Sequence, residues 1–596
     1  MKVNSRLLIH RFLKWRYKNI SNTQFTNIAS AIIGLLAGLA AVTLKNLTHL
    51  IQQLLEGEFI KEIHNAFYFI FPIIGFLIVL LLIKYAIKKP VGHGIPSTLY
   101  AISKQKGIMP RHQMWASLLS APLTVGFGGS VGLEGPTVAT GAALGSNFAS
   151  VLHLNQTTRT LLIGAAAAGA MSSIFKAPIA AIVFAVEIFS LELTLASMVP
   201  LILASITAVL TSYFFFGDDV LLHFQIEDKF MLNEVVFYAL LGITTAFFSI
   251  YFSKVYFKIS DLFKSFKNPF KKLLIGGLLI GVIAFFVPPL FGEGYETINN
   301  VLLGNIESVI SNNIFHIEIN DVWIIVGLLL GLILLKVVAM SFTFGAGGVG
   351  GVFAPTLFTG SITGYLFAYI VNSSNLFDHQ LSSTNFAMVG MAGLMAGVLQ
   401  APLTAIFLIA EITGGYELFV PLMIVSLISF ITTQKYVPHN IYASELAKKG
   451  ELLTHNKDKN VLMMLDIDKV IEKNFVLLYP EMTLGEVVKN AVANSSRNHF
   501  PVINEDNEYL GILTLNDIRG MMFNTSLYDE VKVGDLMHSG SDIIYYEKDT
   551  AEDILNKFKR TGAWNLVVLK NGKYFGFISR SRLLTAYRRQ LINFTQ

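Results

Sequence analysis

Cysteine is absent from this chain of 596 residues, and charged side chains are scarce. The lack of cysteine excludes disulfides and thiol chemistry. Aspartate, glutamate, lysine and arginine make up 14% of the residues, against about 25% in an average soluble domain, while hydrophobic residues reach 53%. The mean hydropathy is correspondingly high, at +0.57. The net charge of +5 is small for this length, so the composition does not indicate a nucleic acid partner.

Long apolar runs recur along the chain up to the region of Tyr442. They are too many for a signal peptide or a single anchor, and they predict a multi-pass integral membrane protein in a lipid bilayer. We expect this bilayer to be a bacterial inner, or plasma, membrane. The runs begin near Ala29, Ala66, Leu118, Leu161, Met198, Val235, Leu273, Val322, Leu357 and Leu418.

Charges in the connecting segments predict which side of the membrane each segment faces. Basic clusters lie in the N-terminal segment, residues 1–27, and in the segments 84–89 and 254–272. Lysine and arginine favour the cytoplasmic side, so these segments are expected there. Residues 291–321 contain acidic side chains but no lysine or arginine, which predicts an external position.

The composition changes near Tyr442, where the long apolar runs stop. Residues 28–442 form the predicted membrane domain. Residues 447–596 alternate short β-branched segments with amphipathic helical ones, which predicts a soluble α/β domain on the cytoplasmic side.

The soluble domain contains an internal repeat. The pattern from His499 to Asp517, two β-branched segments around a turn, returns from Asn565 to Arg582. We therefore predict a tandem pair of modules, at roughly 460–525 and 531–592.

The membrane domain also contains repeats, and these predict two homologous halves at roughly 28–216 and 235–434. A helix from Pro178 to Phe189 would be only about 18 Å long at 1.5 Å per residue, short of the ~30 Å hydrocarbon core. Such broken helices end inside the membrane, where transport sites are built. The repeated segments are Gly126–Thr137 with Gly345–Thr356, and Ala177–Glu187 with Ala401–Glu411.

Several segments place proline in the first turn of a predicted helix, directly after glycine, alanine or a turn. Each such helix has unpaired N–H groups at the positive end of its dipole, which can hold an anion. No lysine or arginine lies between Arg111 and Arg159, or between Lys336 and Lys435, so a bound anion would be held weakly enough to leave. The alternative is that small residues only allow close helix packing. The prolines are Pro96, Pro136, Pro178, Pro355 and Pro402.

Glutamates in these segments have two interpretations. Glu134 lies in the first glycine-rich turn, and a carboxylate inside a membrane is costly enough to indicate function, although a protonated carboxyl bonded to a carbonyl is the alternative. Glu187 and Glu411 occupy equivalent places in the two halves. For them, hydrogen bonding from helix to helix is at least as good an explanation.

The motifs Gly92–Pro96, Gly132–Pro136 and Gly350–Pro355, with Tyr442 near the end of the membrane domain, resemble the anion-binding motifs of the CLC family of chloride channels and chloride/proton exchangers. The tail, with Gly511–Asp517, resembles paired CBS domains. The resemblance implies an all-α polytopic membrane domain of two inverted-topology repeats with broken helices, plus an α/β tandem CBS domain. It also implies a homodimer with a separate pore in each subunit.

The resemblance further implies roles for single residues. Glu134 would be the gating glutamate, whose carboxylate competes with chloride and swings away on protonation. No cofactor is required, and chloride is the expected substrate. The implied anion-binding residues are His93, Gly94, Ile95, Gly135, Val352, Phe353, Ala354 and Tyr442.

Three positions depart from the pattern of this family. His93 stands where serine is usual, which predicts a pH-dependent central site unless the imidazole turns aside to bond a carbonyl. Ile188 stands where exchangers carry a second glutamate, and it cannot carry a proton. We therefore expect passive, channel-like conduction, with chloride/proton antiport as the alternative. Leu133 replaces the usual arginine and removes a positive charge near the outer entrance.

The CBS-like tail offers a candidate nucleotide site. Thr514 and Asp517 match the positions that contact phosphate and ribose of an adenine nucleotide in this family of domains, whereas Arg582 replaces the aspartate in the second copy. The alternative is that the pair serves only as a dimerisation platform.

Other function classes fit less well. A cation transporter would need several inward carboxylates, and helix N-termini directed at the midplane oppose cations. An intramembrane enzyme would need a metal-binding or nucleophilic pattern, and none is present in the sequence. Fluoride or nitrate instead of chloride stays open, because backbone amides discriminate poorly between anions.

Overall fold

The structure is a computed structural model that describes residues 5–55, 64–92, 94–217, 222, 230–311, 321–374, 380–413, 417–448, 462 and 465–595. The chain divides into two compact units, Met1–Leu452 and Leu453–Gln596. We call them the membrane unit and the CBS-like unit. His93, one of the predicted anion-binding residues, lies outside the described residues.

The first half of the membrane unit is a series of helices with tight connections. Helix α3 continues into a short π-helical segment, Leu82–Ile87, that ends at Lys88 in the left-handed conformation. The helices are α1 Ser5–Asn19, α2 Asn22–Leu55, α3 His64–Leu81, α4 Ile95–Lys104, α5 Ala116–Gly126, α6 Glu134–Val151, α7 Gln156–Phe175, α8 Pro178–Phe189 and α9 Leu195–Phe216.

The second half repeats this arrangement. Its helices are α10 Val235–Ser265, α11 Pro269–Phe286, α12 Tyr295–Leu302, α13 Ile306–Ser311, α14 Val322–Gly345, α15 Phe353–Ser373, α16 Ser383–Leu399, α17 Pro402–Ile412, α18 Phe419–Tyr436 and α19 Ser444–Lys448. In the first half α7 packs on α6 and α9, and α9 packs on α2; in the second half α16 packs on α15 and α18, and α18 packs on α10.

Helix length and composition divide the helices of the membrane unit into two kinds. Nine helices of the described part of the chain are long and apolar enough to cross a membrane. Helices α8 and α17, with 12 and 11 residues, are shorter than the ~20 residues that a span needs. Both begin at a proline, Pro178 and Pro402, and so begin inside the unit as the sequence predicts.

Small residues hold the long helices close together. A Cβ atom at Gly34 would lie 2.3 Å from the carbonyl oxygen of Ala204, and one at Gly364 would lie 1.9 Å from that of Phe386. Only glycine permits such approaches of helix α2 to α9 and of α15 to α16.

The CBS-like unit contains two small sheets with short helices on them. Strands β1 and β2 form an antiparallel pair, and β3, β4 and β5 form a second sheet in which β3 and β4 are parallel and β4 and β5 antiparallel. Each sheet has its own apolar core, around Phe500 and Phe558 respectively. The elements are α20 Leu484–Glu486, β1 His499–Ile503, β2 Tyr509–Thr514, α21 Leu515–Ile518, α22 Val533–Leu536, β3 Ile543–Tyr545, α23 Ala551–Thr561, β4 Asn565–Lys570, β5 Lys573–Ser579 and α24 Arg580–Thr595.

Candidate functional site

The two glycine-rich turns of the repeats meet in the structure. Gly132 donates its N–H to the carbonyl of Gly351 at 2.9 Å, and Gly351 donates to the carbonyl of Gly132 at 2.7 Å. A Cβ atom at Gly135 would lie 3.0 Å from the Cα of Gly351, so the backbones touch where side chains are absent. The turns of the two halves thus form one backbone junction.

Three helices begin at this junction. Helices α6 and α15 start at Glu134 and Phe353, directly after the paired glycines. Helix α4 starts at Ile95, after Gly94 with a φ of +67°. A Cβ at Gly94 would lie 3.3 Å from the carbonyl carbon of Gly135, so the start of α4 lies against the start of α6. Three helix N-termini with their unpaired N–H groups are therefore close to one another.

A cavity of about 30 Å³ lies beside the junction, and we call it the Tyr442 cavity. This volume exceeds the roughly 10–15 Å³ that one water molecule needs. Gly94, Phe353 and Ala354 are not among the residues that line it. Its lining residues are Ile95, Pro96, Gly135, Tyr256, Phe344, Gly350, Gly351, Val352, Ile441 and Tyr442.

Tyr442 contributes a hydroxyl group that suits an anion. The side chain is only 5% exposed, and its hydroxyl has no hydrogen-bond partner among the described residues. A buried hydroxyl without a partner costs about 1–3 kcal/mol, which a bound acceptor can recover. Phe353, by contrast, packs its ring against Phe175 and Phe184 with centroid distances of 5.4 and 6.2 Å. Its side chain belongs to the core, and only its backbone faces the junction.

Glu134 is the first residue of α6 and is 1% exposed. Its Oε1 atom accepts a hydrogen bond from the hydroxyl of Tyr295, whereas Oε2 has no partner among the described residues. The carboxyl group turns back over the junction, because a Cβ atom at Gly132 would lie 2.0 Å from Oε2. The backbone N–H of Ala354, from the other repeat, lies near the same carboxyl group. The carboxylate of Glu134 therefore occupies the kind of position that an anion would take.

A second cavity, of about 40 Å³, lies beside Glu134, and we call it the Glu134 cavity. Its polar lining includes the cation of Lys45 and a second carboxyl group, that of Glu293, and both come from segments distant from Glu134 in the sequence. The lining residues are Ala41, Val42, Leu44, Lys45, Leu133, Glu134, Thr137, Ser173, Ile174, Phe216, Glu293 and Tyr295.

Sequence reasoning missed Glu293, Tyr295 and Lys336. Lys336 is fully buried in α14 and donates from Nζ to the carbonyl of Gly292 at 3.0 Å. Glu293 Oε1 accepts from the backbone N–H of Leu133 at 3.0 Å. One feature of the sequence could have indicated them, namely the single lysine in a 24-residue apolar helix. A charged side chain inside a membrane needs a polar or oppositely charged partner, so this lysine predicts such a partner nearby.

Glu187 and Glu411 hold helices α8 and α17 to each other. The carboxylate of Glu187 accepts from the N–H of Leu403 at 3.1 Å and from the N–H and Oγ1 of Thr404 at 2.8 and 2.6 Å. Reciprocally, the carboxylate of Glu411 accepts from the N–H groups of Ile179 and Ala180 at 3.1 and 2.9 Å. The helix-to-helix interpretation of these glutamates is the correct one.

These contacts correct one part of the sequence prediction. The N-termini at Pro178 and Pro402 are not open anion sites, because carboxylates of the partner helix already fill them. Among the proline-started helices, those beginning near Pro96, Pro136 and Pro355 meet at the junction. Ile188, next to Glu187, is 6% exposed and aliphatic.

The candidate nucleotide residues of the CBS-like unit lie together at the end of β2. Asp517 Oδ2 accepts from the N–H and Oγ1 of Thr514, both at 2.7 Å, and His538 Nε2 lies 3.3 Å from the same oxygen. Burial lowers the pKa of the neighbouring His499. In the second module Arg582 pairs with Glu472 at 3.5 Å, so the two modules differ at this site.

Comparison with known proteins places this arrangement in a family. The family model described as voltage-gated chloride channel matches residues 74–434, and the CBS domain model matches residues 467–524 and 533–589. The H(+)/Cl(−) exchange transporter ClcA of Vibrio cholerae serotype O1 is 28% identical over 431 residues, which cover 70% of this chain and 88% of that protein.

A second relative carries a different description. The putative chloride channel protein ClcB-like of Ralstonia nicotianae is 29% identical over 385 residues, or 64% of this chain and 85% of that protein. The crystal structure of a eukaryotic CLC transporter matches 94% of this chain and 97% of its own, with a TM-score of 0.59 and 17% sequence identity, which shows a shared fold. The predicted fold class, two inverted repeats with broken helices and a tandem CBS domain, is confirmed. The chain belongs to the voltage-gated chloride channel family and carries a pair of CBS domains at its C-terminal end.

Proposed function

We propose that the chain transports chloride across the membrane and exchanges it for protons, with Glu134 as the gate. One observation carries the proposal: the Glu134 carboxylate lies where the two repeated turns join, with one of its oxygens unpartnered. A carboxylate in this position competes with an anion for the same N–H groups. Protonation removes the negative charge of Glu134, and with it the attraction to the positive ends of the helices, so the side chain can leave the site.

The bound anion is expected in the Tyr442 cavity. There it accepts a hydrogen bond from the hydroxyl of Tyr442, which has no other acceptor among the described residues, and faces the backbone at Ile95, Gly135 and Val352. These donors carry no formal charge, so binding is weak enough for release. His93 lies outside the described residues, and its contact with the anion stays a prediction from the sequence.

Exchange fits better than the passive conduction that Ile188 led us to expect. The ClcA relative is described as a proton/chloride exchanger, although the ClcB-like relative is described as a putative channel. Glu187 is engaged by three donors of α17, so it is a poor substitute for the missing second glutamate. In our proposal the inner part of the proton route runs through water.

Measurement of reversal potentials tests this proposal. The purified protein is reconstituted in a lipid bilayer under a chloride gradient, with and without a proton gradient. We expect the reversal potential to shift with the proton gradient in the wild type and to lose that shift in Glu134→Gln. A potential that follows chloride alone in the wild type would establish a channel, and replacement of chloride by fluoride or nitrate would identify the preferred anion.

We further propose a homodimer in the bacterial inner membrane, with the N-terminus and the CBS domains in the cytoplasm and residues 291–321 outside. The basic segments support this orientation. An adenine nucleotide at Thr514 and Asp517 is the candidate regulator. Calorimetry with the full-length protein, ATP, ADP and AMP tests it, with Asp517→Ala as the matched variant; absence of heat would leave the pair as a dimerisation platform.

A further inference from the structure

Four consecutive residues, Gly292 to Tyr295, connect the gate to a buried cation, and we call them the GEGY segment. Its first residue accepts a hydrogen bond from Lys336, its second accepts one from the N–H of Leu133, and its fourth donates one to Glu134. Gly292 and Gly294 have φ angles of +66° and +94°, a conformation that glycine adopts readily. The segment is therefore fixed at three points around the start of α6.

The two carboxyl groups at this place differ in access to solvent. Glu134 is 1% exposed, whereas Glu293 is partly exposed. Both residues line the Glu134 cavity. Glu293 is thus the more accessible of the two carboxyl groups, and the cavity adjoins both.

We propose that Glu293 is a second proton-binding site of the transport cycle, which passes its proton to Glu134 through the Glu134 cavity, and that Tyr295 positions Glu134 to receive it. This inference rests on the proposed function. The step is a single proton transfer: the carboxyl of Glu293 loses a proton to a bridging water, and the water gives a proton to Oε2 of Glu134.

The cavity has the properties that such a transfer needs. Its volume of about 40 Å³ holds at least one water molecule. A buried water needs two to four polar partners, and Glu134, Ser173 and Glu293, which all line the cavity, are the residues that can provide them. Oε2 of Glu134 and Oγ of Ser173 are buried without a hydrogen-bond partner among the described residues, and Glu293 lines the same space.

The charges around Glu293 favour sharing of a proton. Glu134 from α6 faces it as a like charge, while Lys336 from α14 and Lys45 from α2 face it as opposite charges, and Tyr295 is the titratable neighbour on its own segment. Two nearby carboxyl groups oppose simultaneous ionisation, so a proton added to one is available to the other. The two lysines limit this effect and keep the pair from holding a proton permanently.

Glu293→Gln separates a proton role from a structural one. The amide oxygen still accepts from the N–H of Leu133, so a merely structural role is preserved, but the amide group neither takes up nor releases a proton at ordinary pH. In liposomes of the full-length protein, proton and chloride fluxes are measured separately. We expect proton flux to fall by about tenfold or more while chloride flux stays within about twofold. The matched control is Glu296→Gln, which removes an exposed carboxylate three residues further on.

The possible results are distinguishable. Equal proton flux in Glu293→Gln, Glu296→Gln and the wild type would overturn this inference while leaving the proposed exchange intact. Chloride flux without proton flux in the wild type would instead overturn the exchange itself. A loss of proton flux confined to Glu293→Gln would support the relay.

Two further variants keep the test decisive if Glu293→Gln does not fold. Lys45→Met removes a cation that faces Glu293, so protonation becomes easier and the pH profile of proton flux should move to higher pH. Tyr295→Phe removes the donor to ionised Glu134 and should move the pH profile of chloride flux in the same direction, by about one pH unit. Unchanged profiles in both variants would overturn the inference, because a purely structural role does not move a pH profile.

Discussion

Three glutamates of the membrane unit place their carboxylates at helix N-termini, and the protein holds them in two different ways. The carboxylates of Glu187 and Glu411 each accept hydrogen bonds at both oxygens from the backbone of the partner helix. The carboxylate of Glu134 accepts one from Tyr295, and its second oxygen has no partner among the described residues. The same type of side chain is thus a clamp between helices in two places and, in our proposal, a movable group in the third.

The difference lies in what the carboxylate would lose by moving. Each hydrogen bond to a charged group contributes about 1.5–3 kcal/mol, so Glu187 and Glu411 leave their positions only at large cost. Glu134 would give up the hydrogen bond from Tyr295 and the nearby N–H of Ala354, while its Oε2 atom has no hydrogen-bond partner to lose among the described residues. The two pairs of equivalent helix starts therefore differ from each other, since those at Pro178 and Pro402 are filled by carboxylates of the partner helix, whereas those at Glu134 and Phe353 meet at the junction.

The largest effect is expected from Glu134→Gln, which makes the movable group permanently neutral. The amide oxygen still accepts from Tyr295, so the unfolding free energy should change by less than about 0.5 kcal/mol. Proton flux should vanish, and chloride flux should become independent of pH. Flux assays in liposomes and thermal unfolding in detergent check both parts; pH-dependent chloride flux in this variant would remove Glu134 from its role as gate.

A large effect on stability is expected when either clamp is broken. Glu187→Ala and Glu411→Ala each leave two backbone N–H groups at the start of the partner helix without acceptors, which should cost about 2–4 kcal/mol of unfolding free energy. Glu187→Ala should cost more, because it also releases the hydroxyl of Thr404. Thermal unfolding measures this.

In the folded fraction of both clamp variants, the ratio of protons to chloride should stay that of the wild type. Glu296→Ala, at an exposed position, serves as the control and should change neither stability nor the ratio. A changed ratio in Glu187→Ala would return that residue to the proton route and weaken the comparison between clamp and gate.

Local sequence patterns predicted much of this arrangement. Proline at a helix start and the repeated apolar segment placed α8 at Pro178–Phe189, with the bounds that the structure has. The repetition of the glycine-rich turns indicated that Glu134 and Phe353 occupy equivalent helix starts. Both features were visible because each copy is a short run of consecutive residues, which can be recognised along the chain without knowledge of contacts between distant segments.

Contacts between distant segments could not be read from such patterns. Ile179 and Glu411 are 232 positions apart, and Tyr295 and Glu134 are 161 apart, so no periodicity links them. A helix N-terminus looks the same in sequence whether a distant carboxylate fills it or not. The prediction of five anion sites therefore overstated their number. The contacts of the GEGY segment with Glu134 and Leu133 were not predicted at all.

A smaller effect is expected from Tyr442→Phe. This variant extends the comparison between partnered and unpartnered groups from carboxylates to hydroxyl groups. The hydroxyl of Tyr442 has no partner to lose, so stability should stay within about 0.5 kcal/mol, whereas chloride affinity should weaken by about 2–10-fold. Tyr251 is the matched control, because its hydroxyl already donates to the carbonyl of Leu334 at 3.1 Å. Tyr251→Phe should lower stability slightly and leave affinity unchanged. Calorimetric titration with chloride decides, and equal affinities in all three proteins would remove Tyr442 from the site.

The smallest effect is expected from Asp553→Asn in α23 of the CBS-like unit, where a carboxylate is held in water rather than in the membrane. Asp553 Oδ2 accepts from Oγ1 and N–H of Thr550 at 2.6 and 2.9 Å, and the hydroxyl of Thr550 is the main cause that keeps the pKa of Asp553 below its usual range. Because the folded pKa is depressed, the stabilisation is complete above the ordinary pKa of about 3.9 and is lost as the pH falls further.

Solvent screening limits this exposed interaction to about 1 kcal/mol or less. Hydrogen exchange of residues 551–561 should show this loss in Asp553→Asn at pH 7, and the difference from the wild type should shrink as the pH falls below 4. A difference that persists at low pH would mean that the charge of the carboxylate is not what holds the helix start.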